Sequence, residues 1–513
     1  MLGRTSVTKN ARAGVSVLAR IFGGRCSPIA AALGLMLVVA MAVPAAAADI
    51  RNIDLGPRAE VWLAEDHAVP IIAFNISMPA GSAYDPAGKA GLAAFAAALM
   101  NEGAGNMNAK AFQEALANRA IGFSANVDRD YLVIGITTLS ENAPEAMRLL
   151  QLALTHPRFD AEAVTRVRAQ ILQSIQQSQA EPPRVAAKAF MRAFFRDHPY
   201  NHPVTGDADS IAHITAGDLR AFVHTHWVRG GLKIAVAGDI TPAAAAKLLG
   251  TTFKPVRSTR PPALPNVGRL GTPGVHVVPL AVPQPTAVFG LPGIMRHDPD
   301  FIPGYIANYI LGGGGFSSRL MEEVRVKRGL TYGVSTSFSS MNKASVLVGS
   351  VATRADAIRD TVEVVRATLA DFARTGPTQQ ELDDAKTYLT GSFPLAFASS
   401  RGTAAQLGTF QRQNLDIGYV ARRNALIQGV TLEQVRRVAK HLFDPKRLTV
   451  VIGGTPAGGH AAPQKPKPPV RPAPPATAGE TEPVRPTPKT LPPKPVDKPV
   501  AGAVTAPPGA KKP

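Results

Sequence analysis

The sequence predicts an α+β fold made of two duplicated domains, each a mainly antiparallel sheet with helices packed on it. Strand-like and helix-like segments occur in mixed order with apparent hairpins, which is typical of α+β domains. The same order of segments occurs twice, and a Pro- and Gly-rich linker at residues 258–274 separates the two occurrences. With 513 residues the chain is also far longer than one hydrophobic core usually needs.

The first predicted domain covers residues 49–257. Its strand-like segments are apolar and short, and its helices carry Ala- and Leu-rich runs at helical spacing. It closes with a strand that ends at Gly238-Asp239. The predicted strands are 59–63, 70–78, 123–127, 131–138 and 232–237, and the predicted helices are 89–100, 109–119, 143–154 and 161–177.

The second predicted domain covers residues 275–455 and repeats this plan. Two strands precede a helix, two further strands follow, and two helices come after them. It also closes with a strand, which ends at Gly453-Gly454. The predicted strands are 275–280, 286–291, 333–338, 345–351 and 448–452, and the predicted helices are 301–311, 355–374 and 378–390.

Residues 1–48 are predicted to be a secretory signal peptide. Five basic and no acidic residues precede or flank an apolar run at 29–43, and three alanines at 46–48 supply a cleavage site before Asp49. The alternative is a retained membrane anchor, but the apolar run is short for a spanning helix. The single cysteine, Cys26, lies in the signal, so the mature chain has no disulfide and no thiolate zinc ligand. We therefore expect a periplasmic protein.

Residues 456–513 form a Pro- and Lys-rich tail with 18 prolines, which cannot bury a core and is expected to be disordered. It is either a solvated tail or a tether to an anionic surface such as the cell envelope. The formal net charge of the chain is +19, but the first 48 residues and this tail together carry about eleven of those charges. No Lys/Arg run with interleaved aromatic residues remains between them, which argues against a nucleic-acid partner.

A Gly-Lys-Ala-Gly-Leu-Ala run at residues 88–93 is similar to the start of the zinc-binding helix of the insulinase/pitrilysin metallopeptidases. In that family the inverted motif His-x-x-Glu-His follows, with two histidines on one helical face and a glutamate that takes a proton from zinc-bound water. Here Ala94 and Ala98 replace the histidines and Ala97 replaces the glutamate. The third ligand, a later glutamate, falls at Ser174. The resemblance therefore implies a degenerate site that binds no zinc.

Two histidine pairs are alternative candidates for metal ligands. His198 and His202 lie among prolines that disfavour a regular helix, in a run similar to a structural His-Pro-Tyr loop of the family. His224 and His226 diverge at their spacing on a helix, so core or surface histidines are expected. Neither pair predicts a metal site.

The second half carries a run of four glycines followed by an arginine and a tyrosine seven residues apart, Arg325 and Tyr332. Alone, the glycines indicate only a flexible turn after a helix. The run resembles the second-domain signature of the same family, which implies that Arg325 and Tyr332 bind substrate by hydrogen bonds near the scissile peptide. The same resemblance makes the glycine turn a candidate substrate loop, formed by Gly312, Gly313, Gly314 and Gly315.

The resemblance spans roughly residues 50–455, and the chain resembles the non-catalytic subunit of processing-peptidase-like heterodimers. It implies a substrate-binding subunit that is inactive alone and pairs with a zinc-bearing homologue to cleave peptides in the periplasm. Two alternatives stay open. One is a binding or scaffold protein on an inactive peptidase fold. The other is an enzyme of another chemistry, for which no serine-nucleophile motif is present.

Overall fold

The computed structural model describes residues 49–457. The predicted signal peptide and all but the first two residues of the predicted tail lie outside that range. Within it, no helix is both long and apolar enough to cross a lipid bilayer.

The first sheet contains six strands in the order β1-β2-β8-β3-β7-β6. Neighbours are antiparallel except β2 and β8. Buried and part-exposed positions alternate along β7, so one face of that strand packs on the core. Strand β6 lies at an edge and has one unpaired side. The strands are β1 Ile50–Asn52, β2 Ala59–Glu65, β3 Ile71–Met78, β6 Gly122–Val127, β7 Leu132–Leu139 and β8 Leu232–Gly238, and a separate ribbon pairs β4 Gly103–Ala104 with β5 Met107–Asn108.

The second sheet repeats the first. Its order, β9-β13-β10-β12-β11, matches the order β2-β8-β3-β7-β6 strand for strand, and its one parallel pair, β9 with β13, stands where β2 pairs with β8. The strands are β9 Gly274–Val278, β10 Thr286–Pro292, β11 Val334–Ser340, β12 Ser345–Ala352 and β13 Thr449–Gly453. The predicted α+β fold with two duplicated, mainly antiparallel sheets is therefore confirmed.

Helices cover the sheets because each presents an apolar stripe at helical spacing. In α10, for example, Ile358, Val362, Val365, Leu369 and Phe372 are all buried. The helices are α1 Leu92–Ala98, α2 Ala109–Ala117, α3 Ala143–Thr155, α4 Ala161–Ser178, α5 Pro182–Phe195, α6 Ala208–Ala212, α7 Ala216–His226, α8 Pro242–Phe253, α9 Phe301–Asn308, α10 Ile358–Thr375, α11 Gln379–Gly391, α12 Ser400–Arg412, α13 Tyr419–Gln428 and α14 Leu432–Leu442.

Two helices differ from their predicted bounds for physical reasons. The helix predicted at 89–100 begins only at Leu92, because Gly91 has a left-handed backbone conformation with φ of 91°. The helix predicted at 301–311 ends at Asn308 and continues as a π-helical turn, Tyr309–Gly313. A glycine-rich sequence favours such a departure from regular α-helix because it adds backbone freedom.

Two helices each pack on the sheet of the other half of the chain. Helix α5 belongs to the first half of the chain, but its Phe190 and Phe194 pack with Val288 and Val451 of the second sheet. Helix α12 belongs to the second half and packs on β3 and β8 of the first sheet. The division into domains at residues 257 and 275 stays a prediction, since packing crosses it in both directions.

Candidate functional site

The start of α1 is held by a capping carboxylate. Asp85 accepts hydrogen bonds from the backbone N–H groups of Gly91, at 2.7 Å, and Ala93, at 2.8 Å. These are donors that the first helical turn leaves unpaired. Gly91 is required here because a Cβ would come within 2.7 Å of the carbonyl oxygen of Thr205. Burial raises the pKa of Asp85 to about 7, although both hydrogen bonds favour the charged form. The local structure that positions this helix is therefore intact.

The positions that correspond to the family's metal ligands lie on α1 and on α4, which pack against each other. Ala94 is partly exposed and Ala98 is exposed, one helical turn apart on the same face. Ser174 on α4 is also exposed, whereas Ala97 is buried with 4% of its surface accessible. Three methyl groups and one hydroxyl replace the imidazole and carboxylate donors that zinc needs. The residues at this place do not fit a zinc ion.

No group of three or more His, Cys, Asp or Glu side chains that could hold a metal occurs in residues 49–457. His198 is structural, because its Nδ1 accepts from the N–H of Tyr200 at 3.1 Å and its Nε2 lies 3.1 Å from the carbonyl oxygen of Pro265. His226 is buried against Phe222 and Tyr84, and burial lowers its pKa to about 4. These two histidines therefore belong to packed structure.

The glycine turn of the second half has two parts with different surroundings. Gly312 is buried against β11, and a Cβ there would lie 2.4 Å from the hydroxyl oxygen of Thr336. Gly313 and Gly315 are exposed, with Gly314 partly so. Close packing thus explains Gly312, and only the following glycines form an accessible loop.

Arg325 and Tyr332 lie together on the surface next to that loop. Arg325 is at the end of a π-helical turn, Met321–Val326, and its Nη1 donates to the backbone carbonyl of Tyr332 at 2.8 Å. Its guanidinium also lies 4.6 Å from the ring centroid of Phe316, which follows the last glycine. Arg325 therefore ties the glycine loop to the backbone of the tyrosine, and part of its hydrogen-bonding capacity is used within the chain.

The side chain of Tyr332 is left outside this packing, with 88% of its surface exposed. Phe316 is 71% exposed and Val326 is 49% exposed. Large exposed apolar groups that occur together mark interaction surfaces, whereas isolated ones need no explanation. Sequence reasoning missed Phe316; an aromatic residue directly after four glycines was the available signal. We call Phe316, Arg325, Val326 and Tyr332 the aromatic surface.

Two models of known protein families match the chain, one over α1 and α4 and one over the glycine turn and the aromatic surface. Residues 60–208 match the model of the insulinase family, peptidase family M16, and residues 213–389 match the model described as the peptidase M16 inactive domain. The chain belongs to the insulinase family. The degenerate helix lies within the first match, and the aromatic surface lies within the second.

Curated relatives in the insulinase family carry different names. The "non-peptidase homolog YmxG" of Helicobacter pylori is 27% identical over 362 residues, which covers 70% of this chain and 83% of that protein. The "uncharacterized zinc protease YmxG" of Bacillus subtilis is 23% identical and covers 75% of this chain and 93% of that protein. Membership in the family therefore does not by itself specify peptidase activity.

Solved structures give the same picture. The peptidase M16 inactive domain from Pseudomonas fluorescens superposes with a TM-score of 0.77 at 28% identity, covering 81% of this chain and all of that one. A protease from Helicobacter pylori has a TM-score of 0.72 at 18% identity, covers 79% of this chain and 99% of that one, and shares the fold. With alanine and serine at the ligand positions, this insulinase-family chain is an inactive peptidase-fold protein.

Proposed function

We propose that this chain is the substrate-binding, non-catalytic subunit of a two-chain periplasmic zinc peptidase. The zinc-bearing subunit would be a homologue with an intact His-x-x-Glu-His motif. The proposal rests on a contrast within the chain. Ala94, Ala98 and Ser174 stand at the zinc-ligand positions and cannot bind the metal, whereas Tyr332 is accessible and its backbone is bound by Arg325.

The aromatic surface supports a role in binding peptide. A peptide offers backbone N–H and C=O groups, and the exposed phenol of Tyr332 can both donate to and accept from such groups. Phe316, which stacks on Arg325, and Val326, which follows Arg325 in the chain, add exposed apolar area. A side chain that only stabilised the fold would be buried or hydrogen-bonded. The side chain of Tyr332 is exposed and forms no hydrogen bond with any residue in the range 49–457.

The proposed compartment depends on the N-terminal sequence alone. Residues 1–48 have the order of a cleaved signal, with basic residues, an apolar run and a final alanine triplet. N-terminal sequencing of the chain from a periplasmic fraction should begin at Asp49. An intact Met1 in the cytoplasmic fraction would contradict export.

The test of the function is activity in trans. We expect the chain to form a complex with the zinc-bearing homologue and to raise its cleavage of an unstructured peptide. In that complex Tyr332→Phe should lower turnover roughly a hundredfold to a thousandfold, the usual effect of losing one hydrogen bond made in the transition state. Tyr388→Phe is the matched control, because Tyr388 is also exposed, at 59%, but lies on α11 outside the aromatic surface.

The alternative, a binding or scaffold protein, makes a different prediction. The exposed apolar groups of the aromatic surface would then be covered by a stable partner, and no peptide would be cleaved. A complex with the homologue that leaves its activity unchanged, both with wild-type chain and with Tyr332→Phe, would favour this alternative.

A further inference from the structure

A cavity of about 430 Å³ lies between helices α9 and α13, strand β11 and helix α12. Gly313 of the glycine turn lines it, whereas the four residues of the aromatic surface do not. At one end the guanidinium of Arg296 is sandwiched between two rings, 4.2 Å from the centroid of Phe301 and 4.8 Å from that of Tyr419. Its Nε donates to the side-chain oxygen of Gln413 at 2.9 Å. Stacking and this bond fix the plane of the guanidinium.

Aromatic rings continue from there to a second arginine. The ring of Tyr419 lies 5.1 Å from that of Phe410, which lies 6.3 Å from Phe393. The guanidinium of Arg423 is 4.2 Å from the centroid of Phe393. Arg423 follows Tyr419 by one helical turn on α13, and both arginines line the cavity.

Neither arginine has a carboxylate partner within the described part of the chain. Arg423 is 9% exposed, and its Nη1 donates to the carbonyl oxygen of Leu389 and to the side chain of Asn424. Its Nε and Nη2, and both terminal nitrogens of Arg296, make no hydrogen bond among residues 49–457. No Asp or Glu of the described range 49–457 lines the cavity. Arg296 is partly exposed, but Arg423 is buried, and a buried arginine normally has an anionic partner because desolvating its charge is costly.

We propose that this cavity binds an organic carboxylate that carries an aromatic or aliphatic body. The planar fork of Arg296 or of Arg423 matches a carboxylate in a bidentate way, and the rings of Phe393, Phe410 and Tyr419 line the space for the body. One source is the C-terminal residue of a peptide, an assignment that rests on the proposed function. The other source is a free small acid, which has the same chemistry.

The experiment is calorimetric titration of the purified chain alone, without partner or zinc, so its outcome is independent of activity in trans. The probes are N-acetyl-Gly-Gly-Phe with a free carboxylate, the same peptide as its amide, and phenylacetate. We expect the free acid to bind at least tenfold more tightly than the amide. Tighter binding of the tripeptide acid than of phenylacetate supports a peptide terminus, and equal binding supports a free acid.

Arg296→Gln should lower affinity for the free acid at least tenfold and leave that for the amide unchanged. Arg359→Gln, on the exposed face of α10, is the matched control for loss of one positive charge. Arg423→Lys retains the charge in the cavity and removes only the planar fork, so it tests bidentate recognition without emptying a buried site. Equal affinities for acid and amide, equal losses in Arg296→Gln and Arg359→Gln, or displacement of the peptide by equimolar inorganic phosphate would overturn the proposal.

Discussion

Helix α1 and the glycine turn after α9 lie in corresponding segments of the two halves, α1 between β3 and the edge strand β6, and the turn between β10 and the edge strand β11. The first place has kept its supporting structure, with Asp85 capping the helix, but presents only methyl groups to the surface. The second has kept an accessible tyrosine and an arginine that orders the loop around it. A duplicated fold can therefore lose the chemistry of one half while retaining its scaffold.

The largest expected effect comes from restoring the lost ligands. If the scaffold is retained, the combined variant Ala94→His, Ala98→His and Ser174→Glu should bind about one zinc per chain. At a free zinc concentration of about 100 times the Kd, binding should stabilise the fold by about 2.7 kcal/mol. Elemental analysis and thermal unfolding with and without zinc would measure both.

The matched control for that variant places glutamine at the same three positions, which adds similar volume without good zinc donors. Wild-type chain purified without chelators should contain no stoichiometric zinc. If the histidine–glutamate variant folded but bound no metal, α1 and α4 would not hold the three side chains in a zinc-binding geometry. The claim that the first half has retained its scaffold would then be wrong.

A second prediction concerns how the two halves share their stability. Gln411 on α12 is fully buried, and its amide donates to the carbonyl oxygens of Glu60 and Ile234 at 3.1 Å each. Gln411→Ala leaves both acceptors without this donor, and should cost about 1–3 kcal/mol. Urea unfolding followed by circular dichroism should show one transition moved as a whole, because α12 and α5 bind each sheet to the other half.

An early separate transition in Gln411→Ala would instead mean that the halves unfold independently. Gln406→Ala is a suitable control, since Gln406 lies on the same helix and is only partly buried.

Much of this architecture is predictable from the sequence because the relevant signals are local. Alternating burial specifies strands such as β7, and helical spacing of apolar residues specifies α10. The order of elements then revealed the duplication, and the run at 88–93 located the degenerate ligand positions. The family resemblance also paired Arg325 with Tyr332, although it did not predict the hydrogen bond from the arginine to the tyrosine backbone.

The rest depends on contacts between distant parts of the chain. The apolar stripes of α5 and α12 do not indicate which sheet each helix will cover. Their packing on the sheet of the other half could therefore not be predicted. The carboxylate cavity combines Arg296, Phe393 and Tyr419 from separate segments, and no short motif contains them. Sites of this kind become visible only when tertiary packing is known.

A third, smaller effect concerns the cap of α1. The raised pKa of Asp85, about 7 against 3.8 for a free carboxyl, means that the folded chain binds its proton more tightly than the unfolded chain. Its contribution to stability is present below about pH 4 and is lost as pH rises towards 7. The free energy of unfolding of wild type, minus that of Asp85→Asn, should therefore fall by at least about 1 kcal/mol over this range.

Measuring this difference at pH 4, 5.5 and 7 removes contributions common to both proteins, including that of His226, whose lowered pKa has the opposite effect. A difference that rises with pH would mean that the hydrogen bonds from Gly91 and Ala93 outweigh burial and keep Asp85 charged.

The smallest expected effect on the free energy of unfolding comes from the second region, at Tyr332. The hydroxyl of Tyr332 makes no hydrogen bond among residues 49–457, and its side chain is 88% exposed. Tyr332→Phe should therefore change the free energy of unfolding by less than about 0.5 kcal/mol, as expected for a surface substitution. Arg325→Ala should cost more, because it removes the bond to the Tyr332 carbonyl and the stacking on Phe316. If Tyr332→Phe destabilised the isolated chain as much as Arg325→Ala does, the tyrosine would be a structural element, and any loss of activity in trans could no longer be assigned to binding of substrate.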